Sequence, residues 1–564
     1  MSSDQVTLQL IGNSLTYASE EMGLALRNSA YSPNIKERMD HSAAIFDSRG
    51  RLLAQAEHIP VHLGSLPWGL RNLIDRCEAE GLELEEDSMV FANDPYVTGT
   101  HLNDVTVVSP IYHRSKLVAY AANKAHHSDV GGKVPGSISM DSRTLSDEGV
   151  VVEPTYFWRK KRFVDKALER FASASRVPTE RKGDLRAQLA ANITGVRRVR
   201  ELLAKYGAEA FNAASSRAIE HSESLMRIRI SRLRLGTFRA SEYLEGPEGA
   251  DLALRVRVTI SSSGVEVDYA GTDPEVDYPL NAVFGVTISG AYYVLRTLTG
   301  SDIPANHGSF SPISVSAPKG TLLNPTYPHP VGGGNVETSQ RNADLVFRAL
   351  APSAPEAVPA ASGGSMNNVM VGGTWKRKSW AFYETIGVGL GGRRTMDGID
   401  GIQSNMTNTM NTPIEEVERS LPLMVTSYEF RPDSSGSGTK RGGFGLVRSY
   451  RALSDKTTFT IVADRERHLP WGLNGGGTGA GTEVRLQKKS SWTRVPCKAT
   501  ISLKRGDEVE VRTAGGGGFG PSSARKKSDI KRDVENGLLS LAKAAEDYHD
   551  DEIHLKKHPR SLSQ

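Results

Sequence analysis

The chain is poor in the features that mark several large protein classes. Its 564 residues include two cysteines, Cys77 and Cys497. They lie far apart and outside any Cys-x-x-Cys arrangement, which excludes a disulfide framework and a thiolate zinc site. Aromatic residues make up 7%, and no basic-aromatic stripe, zinc finger or RNP-type run occurs, so stacking on nucleic acid is not indicated. Charge of neither sign dominates: 69 basic and 65 acidic residues leave a formal +4, and the short excess at Arg525-Lys526-Lys527 does not by itself point to a polyanion. No apolar run approaches the roughly 20 residues that cross a bilayer. Met1-Ser2-Ser3-Asp4 does not open a leader with a basic region and an apolar core. A cytoplasmic protein is expected. Gly-x-x-x-x-Gly-Lys-Ser/Thr and Gly-x-Ser-x-Gly are both missing, so neither a P-loop nor a nucleophile elbow is predicted.

What is present suits a globular body: 38% hydrophobic and 24% charged residues, in a chain long enough for two or three substructures around a large core. Leu8, Ile11, Leu15, Met22 and Leu26 recur at helical spacing, with Pro33 as a stop. Ala43 to Asp47 and Arg51 to Gln55, split by Ser48-Arg49-Gly50, read as strand, turn and strand. Leu66 to Arg76 reads as a helix, and Val105 to Ile111 with Leu117 to Asn123 as two strands. A charged helical pattern follows from Lys160 to Leu235, and Leu252 to Tyr269 alternates as strands. Past residue 320 glycine clusters recur and read as loops or tight backbone approaches between short apolar strands, and Ser528 to Tyr548 reads as an amphipathic helix. The expected fold class is α/β (mixed α+β), a large multi-layer subunit. Its expected parts are an N-terminal metal-binding region with a helical insert over 1–240, a strand-rich, glycine-loop-rich region over 241–521, and a C-terminal helix with a charged tail over 522–564.

The sharpest local pattern is a set of histidines and aspartates: Asp40 and His41, His101 and Asp104, then His126, His127 and Asp129. Each group adjoins a strand-like run, so all could meet at one rim of a sheet. Two imidazoles and two carboxylates suit Mn, Fe or Zn, and loop positions leave a coordination place open. Read from spacing alone, structural histidines and capping aspartates explain the same pattern equally well. His58 and His62 are four apart, but Pro60 between them discourages a regular helix, so they are read as loop residues outside the metal set. Gly387-Val388-Gly389-Leu390-Gly391-Gly392 matches a bare Gly-x-Gly-x-x-Gly with no convincing helix after it, and is read as a structural loop.

Several longer segments resemble one family. They are Asn34-Ile35-Lys36-Glu37-Arg38-Met39-Asp40, Ile59-Pro60-Val61-His62-Leu63-Gly64-Ser65, Asn93-Asp94-Pro95-Tyr96, Gly99-Thr100-His101-Leu102-Asn103-Asp104 and Ala125-His126-His127-Ser128-Asp129-Val130-Gly131-Gly132. Further on come Gly334-Asn335-Val336-Glu337-Thr338-Ser339-Gln340-Arg341, Asp397-Gly398-Ile399-Asp400-Gly401 and Ala514-Gly515-Gly516-Gly517-Gly518-Phe519-Gly520. In this order they resemble the hydantoinase B family, which takes in the B-type subunits of N-methylhydantoinases, the C-terminal half of 5-oxoprolinases, and subunits of caprolactamase and acetone carboxylase.

The resemblance implies a divalent metal, Mn or Zn with Fe as a third choice, held by Asp40, His101, Asp104 and His126. It also implies that an A-type partner subunit binds ATP and phosphorylates the substrate carbonyl, while this B-type subunit contributes to opening a cyclic amide. Asp129 is expected to orient a histidine, Glu337 to serve catalysis, and Asn335 and His127 to line the substrate path. His41 stands where relatives often carry an aromatic residue, and Gln403-Ser404 where they often carry histidine. Two rivals share the resemblance: a subunit of an ATP-dependent ketone carboxylase, and a non-catalytic assembly subunit. The chain alone is expected neither to hydrolyse ATP nor to open a hydantoin-type ring.

Overall fold

The computed structural model describes residues 3–549 except 57 and 301. Four sheets and their covering helices form the body, and every named strand pair is antiparallel except one.

The first sheet has seven strands: β1 (His41–Asp47), β2 (Leu52–Ala56), β3 (Met89–Ala92), β4 (Asp104–His113), β5 (Lys116–His126), β6 (Thr155–Arg159) and β7 (Arg162–Phe163), in the order β2-β1-β5-β4-β3-β6-β7. Its central strands are buried on both faces because helices cover both. The period-two alternation of a strand sends Ile45, Ala119 and Ala121 to one side, where they pack with Ile11, Leu15 and Met22 of the N-terminal helix Ser3–Ser29. Ala44, Phe46 and Tyr120 go to the other, against Leu66, Leu70 and Leu73 of helix His62–Ala79. Each such buried apolar side chain contributes about 2 kcal/mol. The N-terminal helix lies along the long helix Pro178–Ile230, which breaks at Gly207, where φ is +80°.

Strands Gly236–Glu245, Asp251–Ser261, Gly264–Asp268 and Ile313–Ser316 form the second sheet, and the last two supply the parallel pair. Residue 240 lies inside the first of these strands, and one apolar cluster runs from Ile59 through Val107 and Leu254 to Val462. Two further sheets, of four and five strands, face each other as a sandwich around Val369, Phe459, Ile461, Tyr450, Val484 and Val509.

Of the two readings open in sequence, loops or tight backbone approaches, the glycine clusters take the second. Backbone segments cross-bond one another: Gly443 N donates to Leu390 O, Gly392 N to Gly517 O, Gly516 N to Gly443 O, and Gly518 N to Gly477 O. A Cβ on Gly391, Gly442, Gly516 or Gly517 would stand about 2 Å from a neighbouring carbonyl oxygen. These segments are a packed core of bare backbone, closed to any side chain. The C-terminal region also differs, since Asn536-Gly537 divides it into helices Lys527–Glu535 and Leu541–Tyr548. The charged tail beyond lies outside the described residues.

Candidate functional site

Three strand ends build the site. β4 starts at Asp104 and β5 ends at His126, and the antiparallel register sets these two residues opposite each other. β1 starts beside them, with His126 N donating to Asp40 O at 3.0 Å. His101 reaches the same rim from a loop that follows the short helix Pro95–Thr98. Gly99 turns that loop at a φ of +88°, and Asn93 fixes it by donating to Leu102 O and Val150 O. Lys124, buried under the loop, donates to Thr98 O at 2.7 Å and Thr100 Oγ1 at 3.2 Å, and its burial pulls its pKa down to about 7.

His101 Nε2 stands 3.1 Å from Asp104 Oδ1 and 3.1 Å from His126 Nδ1, and His126 Nδ1 stands 3.3 Å from Asp104 Oδ1. Asp40 Oδ2 lies 3.9 Å from His126 Nδ1. Atoms about 2.1 Å from a shared ion stand about 3.0 Å apart at a right angle and about 3.4 Å apart at a tetrahedral angle. The triangle therefore has the dimensions of three ligands around one cation, with Asp40 at its margin. Burial would raise the Asp104 carboxyl, but the imidazoles of His101, His126 and His62 outweigh it and hold it well below the usual carboxylate range. Asp40, Asp104, His126 and His62 border a void of about 20 Å³, together with Asn335, Met366, Tyr383 and Met406, while His101 does not line it. It has room for one ion or one water, far short of a small-molecule pocket. Larger cavities, about 550 Å³ and 690 Å³, lie away from the cluster and include none of its side chains. The donor set, the triangle and the size of the void all fit a single divalent ion.

A buried frame holds this rim to the C-terminal half. Asn34 donates to His126 O at 2.8 Å and to Asp40 Oδ2 at 3.4 Å, and Arg38 donates to the Asn34 side-chain carbonyl. Arg38 also reaches Thr385, Thr409, Tyr383 O and Met410 O. Tyr383 stacks on His126 with centroids 4.5 Å apart, and its hydroxyl donates to Asn368 Oδ1 at 2.8 Å. Asn368 Nδ2 in turn donates to Glu337 at 2.9 Å.

Glu337 and Asn335 stand on a single π-helical turn, Gly334–Thr338, which runs into helix Ser339–Leu350. Such turns recur at functional sites. The backbone is tight there: a Cβ on Gly334 would stand 1.8 Å from Asn281 O, and Glu148 accepts from Val331 N and Gly332 N just before it. Asn335 borders the void, and its Oδ1 has no partner among the described residues. Glu337 does not border the void. Its carboxyl accepts from Met366 N at 3.2 Å and from Asn368.

Other expected residues are not brought to the rim. His127 follows His126 and so turns to the opposite face, where Nε2 meets Gln188 Oε1 at 2.9 Å and the ring stands edge-on to Phe171. Asp129 touches no histidine: it accepts from Gly136 N, Ser175 Oγ, Arg176 N and Arg176 NH1, pinning a loop to the start of the long helix. His41 packs edge-on to His58, 4.9 Å between centroids, away from the triangle. Gln403 donates to Thr385 Oγ1, while Ser404 O accepts from Gln340. His62, expected from sequence as a loop residue, is instead the first residue of its helix, and its ring contacts Asp104 Oδ2 at 3.4 Å. It and the framing residues Asn34 and Arg38 all fall within the segments that carry the family resemblance, which was the available signal.

The family model described as Hydantoinase B/oxoprolinase matches residues 4–522. A protein of Methanocaldococcus jannaschii, itself uncharacterised, is 44% identical over 97% of this chain and 96% of its own length. A Pseudomonas protein named as the putative B-type subunit of a D-/L-hydantoinase is 30% identical over 97% of this chain and 95% of its own. The 5-oxoprolinase of Dictyostelium discoideum is 32% identical over 92% of this chain, which spans 40% of that longer protein. Among solved structures, the ATP-dependent caprolactamase of Pseudomonas jessenii superposes with a TM-score of 0.90 at 26% identity, covering 97% of this chain and 96% of that one. An acetone carboxylase chain reaches the same TM-score at 18% identity over 97% and 79%, a likeness of fold.

Proposed function

We propose, from the premise that this chain belongs to the hydantoinase B/oxoprolinase family, that it is the metal-holding B-type subunit of an ATP-dependent enzyme that hydrolyses a cyclic amide. The observation that carries the reading is the triangle of His101, Asp104 and His126, with Asp40 beside it, next to a void fit for one ion that Asp40, Asp104 and His126 border. Asp40, His101, Asp104 and His126 would hold Mn or Zn, with Fe as the third choice. When bound, a divalent ion supplies Lewis acidity, the property that makes water nucleophilic near neutral pH.

This chain's own residues do the rest by position. Asn335 offers an unpaired amide oxygen at the void, suited to accept a hydrogen bond from a ring N–H. Tyr383 and Met406, both buried, border the void beside Asp40, Asp104 and His126. Glu337 acts through Asn368 and Tyr383, holding the ring that stacks on His126. The void is too small for a ring-sized substrate, so part of its lining must shift to admit one.

An amide carbonyl is a weak electrophile, and activation by ATP is assigned to a separate A-type subunit. Two points support that division: the chain lacks a P-loop, and the Pseudomonas relative is named as one subunit of a hydantoinase. The test is co-purification with an A-type subunit and measurement of ATP turnover and ring opening on hydantoin-type amides. Both activities should require both chains. Steady ring opening by this chain alone without ATP would leave an ordinary metal-dependent amidohydrolase in place of the proposal.

A further inference from the structure

We infer that His62 is a positioning residue that aims Asp104 into the metal triangle, an inference that rests on the metal reading of the site. The two oxygens of Asp104 have separate tasks. Oδ1 faces His101 Nε2 at 3.1 Å and His126 Nδ1 at 3.3 Å, while Oδ2 faces His62 Nε2 at 3.4 Å. On the far side of the His62 ring, Nδ1 stands 2.9 Å from Ser42 Oγ. Ser42 Oγ accepts from Ile59 N at 3.4 Å, so its own proton is free to go to Nδ1. That leaves Nε2 as the protonated nitrogen, and the tautomer that donates to Oδ2 is the one Ser42 selects.

The order Ser42, His62, Asp104 is that of a nucleophilic triad, but the site is built as a brace. Ser42 has no solvent exposure and does not border the void, so no substrate carbonyl can approach its hydroxyl. What the line can do is fix a carboxylate. His62 and Asp104 are each 1% exposed, so removing the ring takes away a buried donor that bulk solvent does not supply. Asp104 would then keep one oxygen unpaired in the interior, or rotate to share Oδ1 and Oδ2 between His101 and His126, and in either case present the wrong geometry to an ion. Helix His62–Ala79 fixes the ring from behind, with Ser65 Oγ bonded to Val61 O at 2.8 Å and Ser289 Oγ accepting from Gly64 N and Ser65 N.

The test is titration of Co(II) into the metal-stripped full chain, with the visible spectrum of the bound ion as a second readout. His62→Ala should lose affinity by about 10- to 100-fold, the usual effect of removing such an outer partner, and shift the Co(II) absorption bands while circular dichroism stays that of wild type. His62→Gln should recover to within about threefold, because its amide N–H can donate to Oδ2 and its carbonyl can accept from Ser42. His62→Ala binding Co(II) as tightly as wild type, with the same spectrum, overturns the inference. If His62→Ala does not fold, Ser42→Ala decides: a severalfold loss supports the brace and unchanged binding overturns it. A wild-type chain that binds no Co(II) overturns the metal reading itself, a failure seen before any variant is compared.

Discussion

Glu337→Gln isolates one buried proton. Glu337 is sealed from water, and its pKa is pushed up to about 8 from the ordinary 4.5, first by burial and then by the Asp464 carboxylate. The Ser365 hydroxyl, the Lys498 ammonium and the Met366 amide oppose that rise without cancelling it. Above pH 4.5 the folded chain therefore keeps a proton that the unfolded chain has released. Rising pH favours the state that has released it, so the stability held at this group is complete below pH 4.5 and is lost as pH rises through about 8. Each pH unit in that window removes about 1.4 kcal/mol, or roughly 3 kcal/mol between about pH 6 and pH 8. Glutamine reproduces the protonated form: its carbonyl still accepts from Met366 N and Asn368 Nδ2, and it cannot ionise. Urea denaturation of both proteins at about pH 6 and pH 9 measures the difference, in which all other titrations cancel. The variant should exceed wild type by roughly 2 kcal/mol at the lower pH and by roughly 5 kcal/mol at the higher, a gap that widens by about 3 kcal/mol. Parallel profiles would refute the proton at Glu337.

Three further substitutions separate the frame from the metal rim. Arg38→Met leaves Asn34 Oδ1, Tyr383 O and Met410 O without a buried donor, while Thr385 and Thr409 can still bond each other at 2.8 Å. A loss of roughly 3 kcal/mol in urea follows, together with weaker Co(II) binding, and an unshifted midpoint contradicts the frame. His127→Leu should cost about 1 kcal/mol and leave metal content unchanged, because its ring bonds Gln188 on the far face. Metal loss in that variant would place His127 at the rim after all. Asp129→Asn should lower stability by about 2 kcal/mol through Arg176 and the loop amides, with turnover per folded chain intact. A drop in turnover at unchanged stability would restore the histidine-orienting role expected for it from the sequence.

The family resemblance, not spacing, names the four candidate ligands together, and His101 stands in a loop. Asp40, Asp104 and His126 stand at or beside strand ends that periodicity locates, and antiparallel register brings Asp104 opposite His126. The same alternation, applied one residue further, sends His127 to the other face, so that placement is within reach of the pattern. His62 misleads for a local reason: Pro60 argues against a helix running through it, whereas it stands just ahead of one that starts at His62. Asp129 is not legible, since its partners Ser175 and Arg176 lie more than forty positions away and nothing in the spacing joins them. The glycine runs read in sequence as loops or tight backbone approaches, but local propensity cannot show which segments meet, as Gly391, Gly442 and Gly516 do in packing on one another's backbones. Helix Ser3–Ser29 and the hairpin of β1 and β2 follow their patterns closely, being elements whose partners are near in sequence or whose periodicity is long.

The central claim is that Asp40, His101, Asp104 and His126 hold one ion. Elemental analysis of the purified full chain beside the double variant His101→Ala/His126→Ala tests it most directly. A single metal centre predicts about one divalent transition-metal ion per wild-type chain and loss of nearly all of it in the double variant, with circular dichroism unchanged. Equal metal content in the two proteins, or none in wild type after reconstitution with Mn, Zn or Fe, would contradict it.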